Sequence, residues 1–313
     1  VHAKTLAELE QLYDLDKGFV NVIYDKKEDK IYLKIDNLGR DFIYQTSLPS
    51  GLGSNDIGLD RGQLGNTRLA VFEKVGNKVF LKQKPTYFRA KTKNKKEVQA
   101  VEQAFASSIL WGFKVVDSGK KWVLVDASDF ILQDIHGVGR RLEKTKQGSG
   151  FKVDKSRSAL HLPRTTAFPD NTELEATITL VGKKPGSYLR QTSPNPNVVT
   201  LKMHHSFVRL PDRGYKPRVF HPKSGYWSRG YRDYAQPIGE SITRRYISRH
   251  RLAKKNPKAK VSAPIKPITY YLDPGVPEPV KSALIDGALW WNQAFEAIGY
   301  KNAFQVKMLP SHA

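Results

Sequence analysis

Leu69-Ala-Val-Phe-Glu-Lys-Val75, Gly76-Asn77 and Lys78-Val-Phe-Leu81 are two β-rich apolar runs held apart by two residues. Glycine and asparagine reach positive φ cheaply, so this pair predicts a two-residue hairpin. The pattern repeats outward on both sides. Phe19-Val-Asn-Val-Ile-Tyr24 and Ile31-Tyr-Leu-Lys-Ile35 flank the charged Asp25–Lys30 loop, and Phe42-Ile-Tyr44 is a third short strand. Phe113-Lys-Val-Val116 and Trp122-Val-Leu-Val125 flank Asp117-Ser-Gly-Lys120, another hairpin. Leu174–Val181 and Val198–Leu210 alternate as strands.

Between the strands a few segments carry helical spacing. Leu6, Leu9, Leu12 and Tyr13 predict a short helix over Thr5–Leu15. Glu97–Trp111 and Asp126–Leu142 predict two more, the second capped by Asp126 or Ser128. Hairpins with few helices predict an α+β fold with mostly antiparallel sheet rather than a β-α-β winding.

The end of the chain changes character. After a Lys- and Pro-rich stretch, Ile268-Thr-Tyr-Tyr-Leu272 reads as a strand, and Phe304-Gln-Val-Lys-Met308 as another. Between them Val280, Leu284, Gly287, Ala288, Trp291, Ala294, Phe295 and Ile298 share one helical face, with Gly299 at the position of a C-terminal cap. Strand, helix, strand is the opening of an α/β domain. About fifty residues do not complete one, so this part reads as a truncated α/β segment with its apolar helix face partly uncovered. Trp291 and Phe295 are expected to be buried against the rest of the chain or a second copy. The division expected is a β-rich segment over 1–68, an α+β domain over 69–262, and a linker with the truncated unit over 263–313.

Composition bounds the chemistry. The 313 residues include 52 Lys and Arg against 30 Asp and Glu, a net charge of +22. The chain has 39% hydrophobic and 11% aromatic residues, enough for packed cores. With no cysteine, disulfides, Cys-ligated zinc, iron–sulfur clusters and thiol nucleophiles are excluded. No run approaches the ~20 apolar residues of a membrane span. Val1 opens no signal-peptide pattern, as expected if one was removed or never present. The densest basic block runs from Arg244 to Lys260 with no acid in it, and Trp227, Tyr231 and Tyr234 precede it. Charge alone ranks nucleic acid behind a solvated basic surface or attraction to acidic polymers.

Motifs for catalysis are missing. The glycine-dense loop Gly51–Gly65 has Asp56 where a third dinucleotide glycine belongs, and no Lys-Ser/Thr pair follows Gly58. Its glycines are read as backbone positions of positive φ or close approach. No helix carries a zinc-binding histidine pair and no G-x-S-x-G is present. Adjacent residues of a strand face opposite ways, so at most one of His204 and His205 can join any one site. Glu173/Glu175 and Asp14/Asp16 read as solvated surface pairs. No catalytic, cofactor-binding or metal residue is assigned, and no stoichiometric zinc is expected for these residues.

Several words nevertheless resemble a family of large bacterial zinc-dependent metalloproteases, metzincin-like in their catalytic half. They are Leu59-Asp-Arg-Gly-Gln63, Arg157-Ser-Ala159, His205-Ser206 with Leu210-Pro-Asp212, Tyr231-Arg-Asp-Tyr-Ala235 and Arg249-His-Arg-Leu252. The most specific are Lys266-Pro-Ile-Thr-Tyr-Tyr-Leu-Asp-Pro-Gly275 and Ala288-Leu-Trp-Trp-Asn-Gln-Ala-Phe-Glu-Ala297. The resemblance implies that the last of these is the first helix of a protease domain, and that the zinc helix follows residue 313. It implies a non-catalytic N-terminal region, secreted or periplasmic, serving as scaffold, latency element or substrate presenter. Its partners would be the remainder of the catalytic domain and the parent's protein or peptide substrate, and zinc belongs to that full-length parent. Where the family reads Pro-Arg-x-x-Asp-Pro-Arg-x-Gly-Tyr, this chain has His221 at the Asp position, between Pro217-Arg218 and Pro222-Lys223. His221 is therefore a latch candidate for zinc, against a surface turn set by Pro222 and Gly225. The rival reading is a basic binding module for nucleic acid or anionic cell-envelope polymer. A third is that the chain is complete as it stands.

Overall fold

The structure is a computed structural model and describes residues 4–310. It divides into two compact units, residues 1–212 with 231–242, and residues 213–230 with 243–313.

The first unit is built on one antiparallel sheet. Its main strands are β1 (Asn21–Asp25), β2 (Lys30–Ile35), β3 (Asp41–Leu48), β4 (Arg68–Val75), β5 (Lys78–Gln83), β6 (Ser108–Ser118), β7 (Val123–Asp126), β8 (Ser149–Val153), β9 (Asn171–Lys183) and β10 (Val198–Arg209). They lie side by side in the order β1-β2-β7-β6-β5-β4-β3-β10-β9-β8. Four two-residue strands lengthen the sheet to fourteen. The α+β reading with antiparallel hairpins holds. Val75 faces Lys78 across the expected Gly76-Asn77 turn, where Gly76 has φ of 56°. The sheet runs through residue 68 without a break, because β3 pairs with β4 on one side and β10 on the other. The boundary expected there falls inside it.

The sheet curls strongly. The segment before β1 returns to β9 and the residues leading into it, where Phe19 N–H donates to Phe168 O (2.8 Å) and Val20 N–H to Thr172 Oγ1 of β9 (2.9 Å). Inside the curl sit Phe42, Tyr44, Phe72, Phe113, Phe130 and Phe207, all fully buried. Phe207 is their hub, 5.3 Å from Tyr44, 5.6 Å from Phe72 and 5.8 Å from Phe42. These six rings are the largest fully buried side chains of the unit, and their burial stabilises it at about 25 cal/mol per Å² of apolar surface removed from water.

Helices decorate this frame. Helix α1 (Leu6–Leu12) opens on a capping box of Thr5 and Glu8 and buries Leu6 and Leu9. The helix expected over Glu97–Trp111 is shorter. It is α2 (Lys95–Ala104), and Ser108–Trp111 belongs to β6, with Trp111 opposite Leu81 and Ile109 opposite Lys82. Long-range pairing with β5 outweighed the local helical spacing. The helix expected over Asp126–Leu142 is two, α3 (Ser128–Ile131) and α4 (Val138–Lys144). Gly137 at φ 87° breaks it, and the Asp134 carboxylate accepts from the N–H groups of Gly137, Val138 and Gly139 at 2.8–2.9 Å. A further short helix, α5 (Ser187–Thr192), lies between β9 and β10. In the glycine loop, a Cβ on Gly51 would collide with the backbone of Leu59–Arg61, and Gly58 sits at φ 68°. These glycines serve backbone shape, as their sequence pattern implied.

The second unit contains β11 (Ile268–Leu272), α6 (Val280–Leu289), α7 (Trp291–Ala297) and β12 (Phe304–Met308). The two strands are parallel, with Ile268 opposite Phe304 and Leu272 opposite Met308. One continuous helix was expected here, but the chain steps at Trp290 into two. Gly299 holds the C-terminal turn at φ 85°.

Candidate functional site

The adjacent histidines of β10 lead to two different environments. Residue alternation puts His205 inside the curl, fully buried beside Tyr44 and Phe130. Its Nε2 lies 3.3 Å from the carbonyl of Ile131, which only accepts, so Nε2 carries the proton. Nδ1 is then the acceptor for the Tyr44 hydroxyl at 2.9 Å. Burial, reinforced by the charge of His204, pushes His205 down to about 3, so it is neutral.

His204 faces the other way and meets the acids that the sequence reading left in solvent. Antiparallel register sets Glu175 opposite His204 and Glu173 opposite Ser206. Nδ1 of His204 is 2.8 Å from Glu175 Oε2, and Nε2 is 2.7 Å from Glu173 Oε2. Glu175 is only 2% exposed, which corrects the surface reading of this pair. Burial disfavours the imidazolium, but the hydrogen bonds it donates to both carboxylates outweigh this and raise His204 to about 9. Glu173 is also desolvated, yet donors from His204, Ser206 and Asn171 hold it below its ordinary value.

The chain of polar groups continues. His161 Nδ1 sits 2.7 Å from Glu175 Oε1 but off the direction a hydrogen bond needs, while its Nε2 accepts from Lys202 Nζ at 2.8 Å. This run from Ser206 to Lys202 ties the crossing segment at residues 159–167 to β9 and β10. A doubly hydrogen-bonded imidazolium between two carboxylates has no lone pair for a metal and no free proton acceptor for a substrate. Its chemistry is that of a structural clamp. Period-two alternation alone could have grouped Lys202, His204 and Ser206, but Glu175 and Glu173, which the register brings in, lie 29 and 31 residues from His204 in the chain.

His221, the latch candidate, stands at the start of a 3-10 turn over Pro222–Ser224. Its Nδ1 accepts the N–H of Lys223 at 3.2 Å, and Gly225 closes the turn at φ 68°. That is the arrangement of an exposed turn. Among the described residues, no group of three or more His, Asp or Glu is placed to hold a metal ion. His2 and His312 lie outside the described residues. A cleft of about 500 Å³ is lined by Leu69, Val71, Phe88, Val98, Val101 and Phe105. The lysines at its rim are taken: Lys84 pairs with Asp41 and Lys82 with Glu73, each at 3.0 Å.

The strand–helix–strand segment presents the most unusual surface. Helices α6 and α7 bury no residue at all. Within its own unit Trp291 is 61% exposed and Phe295 half-buried. Val280, Leu284, Trp290 and Ile298 are exposed too, as are Tyr270 and Tyr271 on β11. The segment is nonetheless ordered from within. Asn292 Nδ2 donates to Phe304 O at 2.9 Å, and Phe304 N–H returns to Asn292 Oδ1 at 3.0 Å.

Two family models match the chain. One, described as Domain of unknown function (DUF5117), matches residues 62–255, more than half of the sequence. The other, Domain of unknown function (DUF5118), matches residues 13–51. No curated protein and no solved structure matches it. No helix among the described residues is long and apolar enough to cross a membrane.

Proposed function

This chain belongs to the DUF5117 family, and we propose that it is the non-catalytic N-terminal region of a zinc-dependent metalloprotease, running into the first strands and helices of the catalytic domain. The observation that carries this reading is the parallel pair β11 and β12 with its uncovered crossover helices. Parallel strands are buried on both faces in stable domains, and a two-stranded sheet alone is marginal. An exposed surface holding Trp290, Trp291, Val280, Leu284 and Ile298 is of the kind that another element covers. The resemblance of Lys266–Gly275 and Ala288–Ala297 to the start of a metzincin-like domain supplies the identity of that element: further strands and the zinc helix of the same protease.

In this reading the curled sheet is scaffold, latency element or substrate presenter for a secreted or periplasmic parent, and the parent's substrate is protein or peptide. Proteolysis of this type needs a metal to acidify water and a carboxylate to take its proton, and this reading assigns both to the remainder of the parent's catalytic domain. The test compares this chain with a longer gene product that includes the zinc helix, each incubated with casein and zinc. Chelator-sensitive cleavage by the longer chain alone supports the proposal. Cleavage by the present chain that survives repurification, or an inactive longer chain, sinks it. His221→Ala in the longer chain should leave zinc affinity unchanged, and a rise in basal activity would restore the latch.

A further inference from the structure

The second unit carries 17 Lys and Arg against 4 Asp and Glu, so it holds +13 of the chain's +22. Within it, Arg213, Lys216, Arg218, Lys223 and Arg229 are all exposed, and residues 213–230 contain no acid. Charge of this kind is usually a solvated surface. Here it is ordered against rings. The segment 245–248 is flanked on both sides: Phe220 N–H donates to Arg245 O (2.9 Å), Ile247 N–H to Arg218 O (3.0 Å) and Ser248 N–H to Trp227 O (2.9 Å).

Two guanidinium groups lie over aromatic rings of that ladder. Arg245 is 3.9 Å from the Phe220 centroid and donates through Nε and Nη2 to Ser228 Oγ at 3.1 and 2.9 Å. Arg249 lies 5.2 Å from the Tyr215 ring and also donates to the carbonyl of Lys216. A guanidinium held over a ring and by hydrogen bonds in this way is fixed in place and offers a planar surface. Beside it project Trp227, 88% exposed, and Tyr226, 59% exposed. Ring-backed guanidinium groups and two exposed rings, on a segment with no acid in it, match what unstacked bases and a phosphate backbone require. A duplex keeps its bases stacked on each other and has no use for the projecting indole.

We propose that this face of the second unit binds single-stranded polynucleotide. Phosphates would meet the exposed cations of residues 213–229, and bases would stack on Trp227, Tyr226 and the Arg245 guanidinium. The inference is independent of the protease reading, which its failure would leave standing.

The test is fluorescence anisotropy of a labelled oligothymidine of about 20 nucleotides with the whole chain. A roughly micromolar Kd near physiological salt is expected, with a log–log salt slope of about −3 to −4 for five neutralised phosphates. Trp227→Ala, at a solvent-exposed site where the fold is not at risk, should weaken binding about tenfold at unchanged slope, as loss of one stacked base does. Arg245→Lys should also weaken it at unchanged slope, since the charge remains and the plane is lost. Lys223→Gln should instead lower the slope by about 0.7. Equal affinity for a heparin oligosaccharide or for duplex DNA of matching charge would overturn the proposal. So would a Trp227→Ala chain that binds as the parent does.

Discussion

The two units of this chain solve opposite problems. The first holds 35 cations against 26 acids and nearly all of the buried apolar residues, with six aromatic rings sealed inside a curled sheet. The second holds 17 against 4, and its buried apolar side chains are only Ile247, Pro264, Ile268, Ala303 and Phe304 among the described residues. The first is organised by apolar burial, with charge used locally where carboxylates meet His204. The second is organised by backbone and side-chain hydrogen bonds such as Asn292 with Phe304, and it leaves its rings in solvent. A region with its own core can be a scaffold. A region with so little core and so much exposed indole and charge is, in the proposed reading, a surface that another element covers.

The largest effect should come from the hub of the first unit. Phe207→Ala removes the ring that touches Phe42, Tyr44 and Phe72, and should cost about 3–5 kcal/mol by transfer and cavity terms. Urea unfolding followed by near-ultraviolet dichroism reads it. A loss below about 1 kcal/mol, the scale of a surface substitution, would mean that the rings do not form one core and would erase the contrast between the units.

Next in size is the clamp. His204 is raised from 6.5 to about 9, so its stabilisation is complete below the unfolded value and is lost as pH climbs through 9. At 1.36 kcal/mol per unit the loss should amount to roughly 3 kcal/mol. Glu173 acts in the opposite window, because its lowered value makes its contribution disappear as pH falls below the ordinary glutamate range. Urea midpoints measured from neutral to alkaline pH should therefore fall in the parent chain and fall less in His204→Gln. Identical alkaline slopes in the two chains would show that His204 is not held between Glu173 and Glu175 in solution.

The buried neighbour provides a smaller step. Tyr44→Phe keeps the ring among Phe130 and Phe207 but leaves His205 Nδ1 buried without a donor, at a cost of about 1–3 kcal/mol. The same substitution should raise no pH dependence near neutrality, since His205 is already neutral there. A chain as stable as the parent would mean that water or another donor reaches that nitrogen.

How much of this was legible in the sequence follows from the range of the interactions. The Gly76-Asn77 hairpin, the opposed faces of His204 and His205, and the backbone role of Gly51 and Gly58 are local, and local spacing revealed them. Ser108–Trp111 read as helix because its spacing ignores β5, the partner that makes it a strand. Glu173 and Glu175 read as surface because their counter-ion comes from a different strand in a register no spacing states. The stacks of Arg245 on Phe220 and Arg249 on Tyr215 likewise join residues some 25 to 34 positions apart, where composition shows only charge.

The smallest expected effect tests the comparison from the other side. Trp291 is 61% exposed, so Trp291→Ser in the present chain removes little buried surface and should change stability by no more than about 0.5 kcal/mol. In a longer chain that completes the α/β domain, the same indole would be covered. Losing it should then cost a buried-aromatic penalty of about 3–5 kcal/mol. The difference between the two backgrounds is the measurement, because it isolates the cover rather than the residue. If Trp291→Ser is equally mild in both, the uncovered face of α6 and α7 is not where the catalytic domain continues. If it is already severe in the present chain, that face is covered in solution without any added segment, and the contrast between a cored unit and a bare one does not hold.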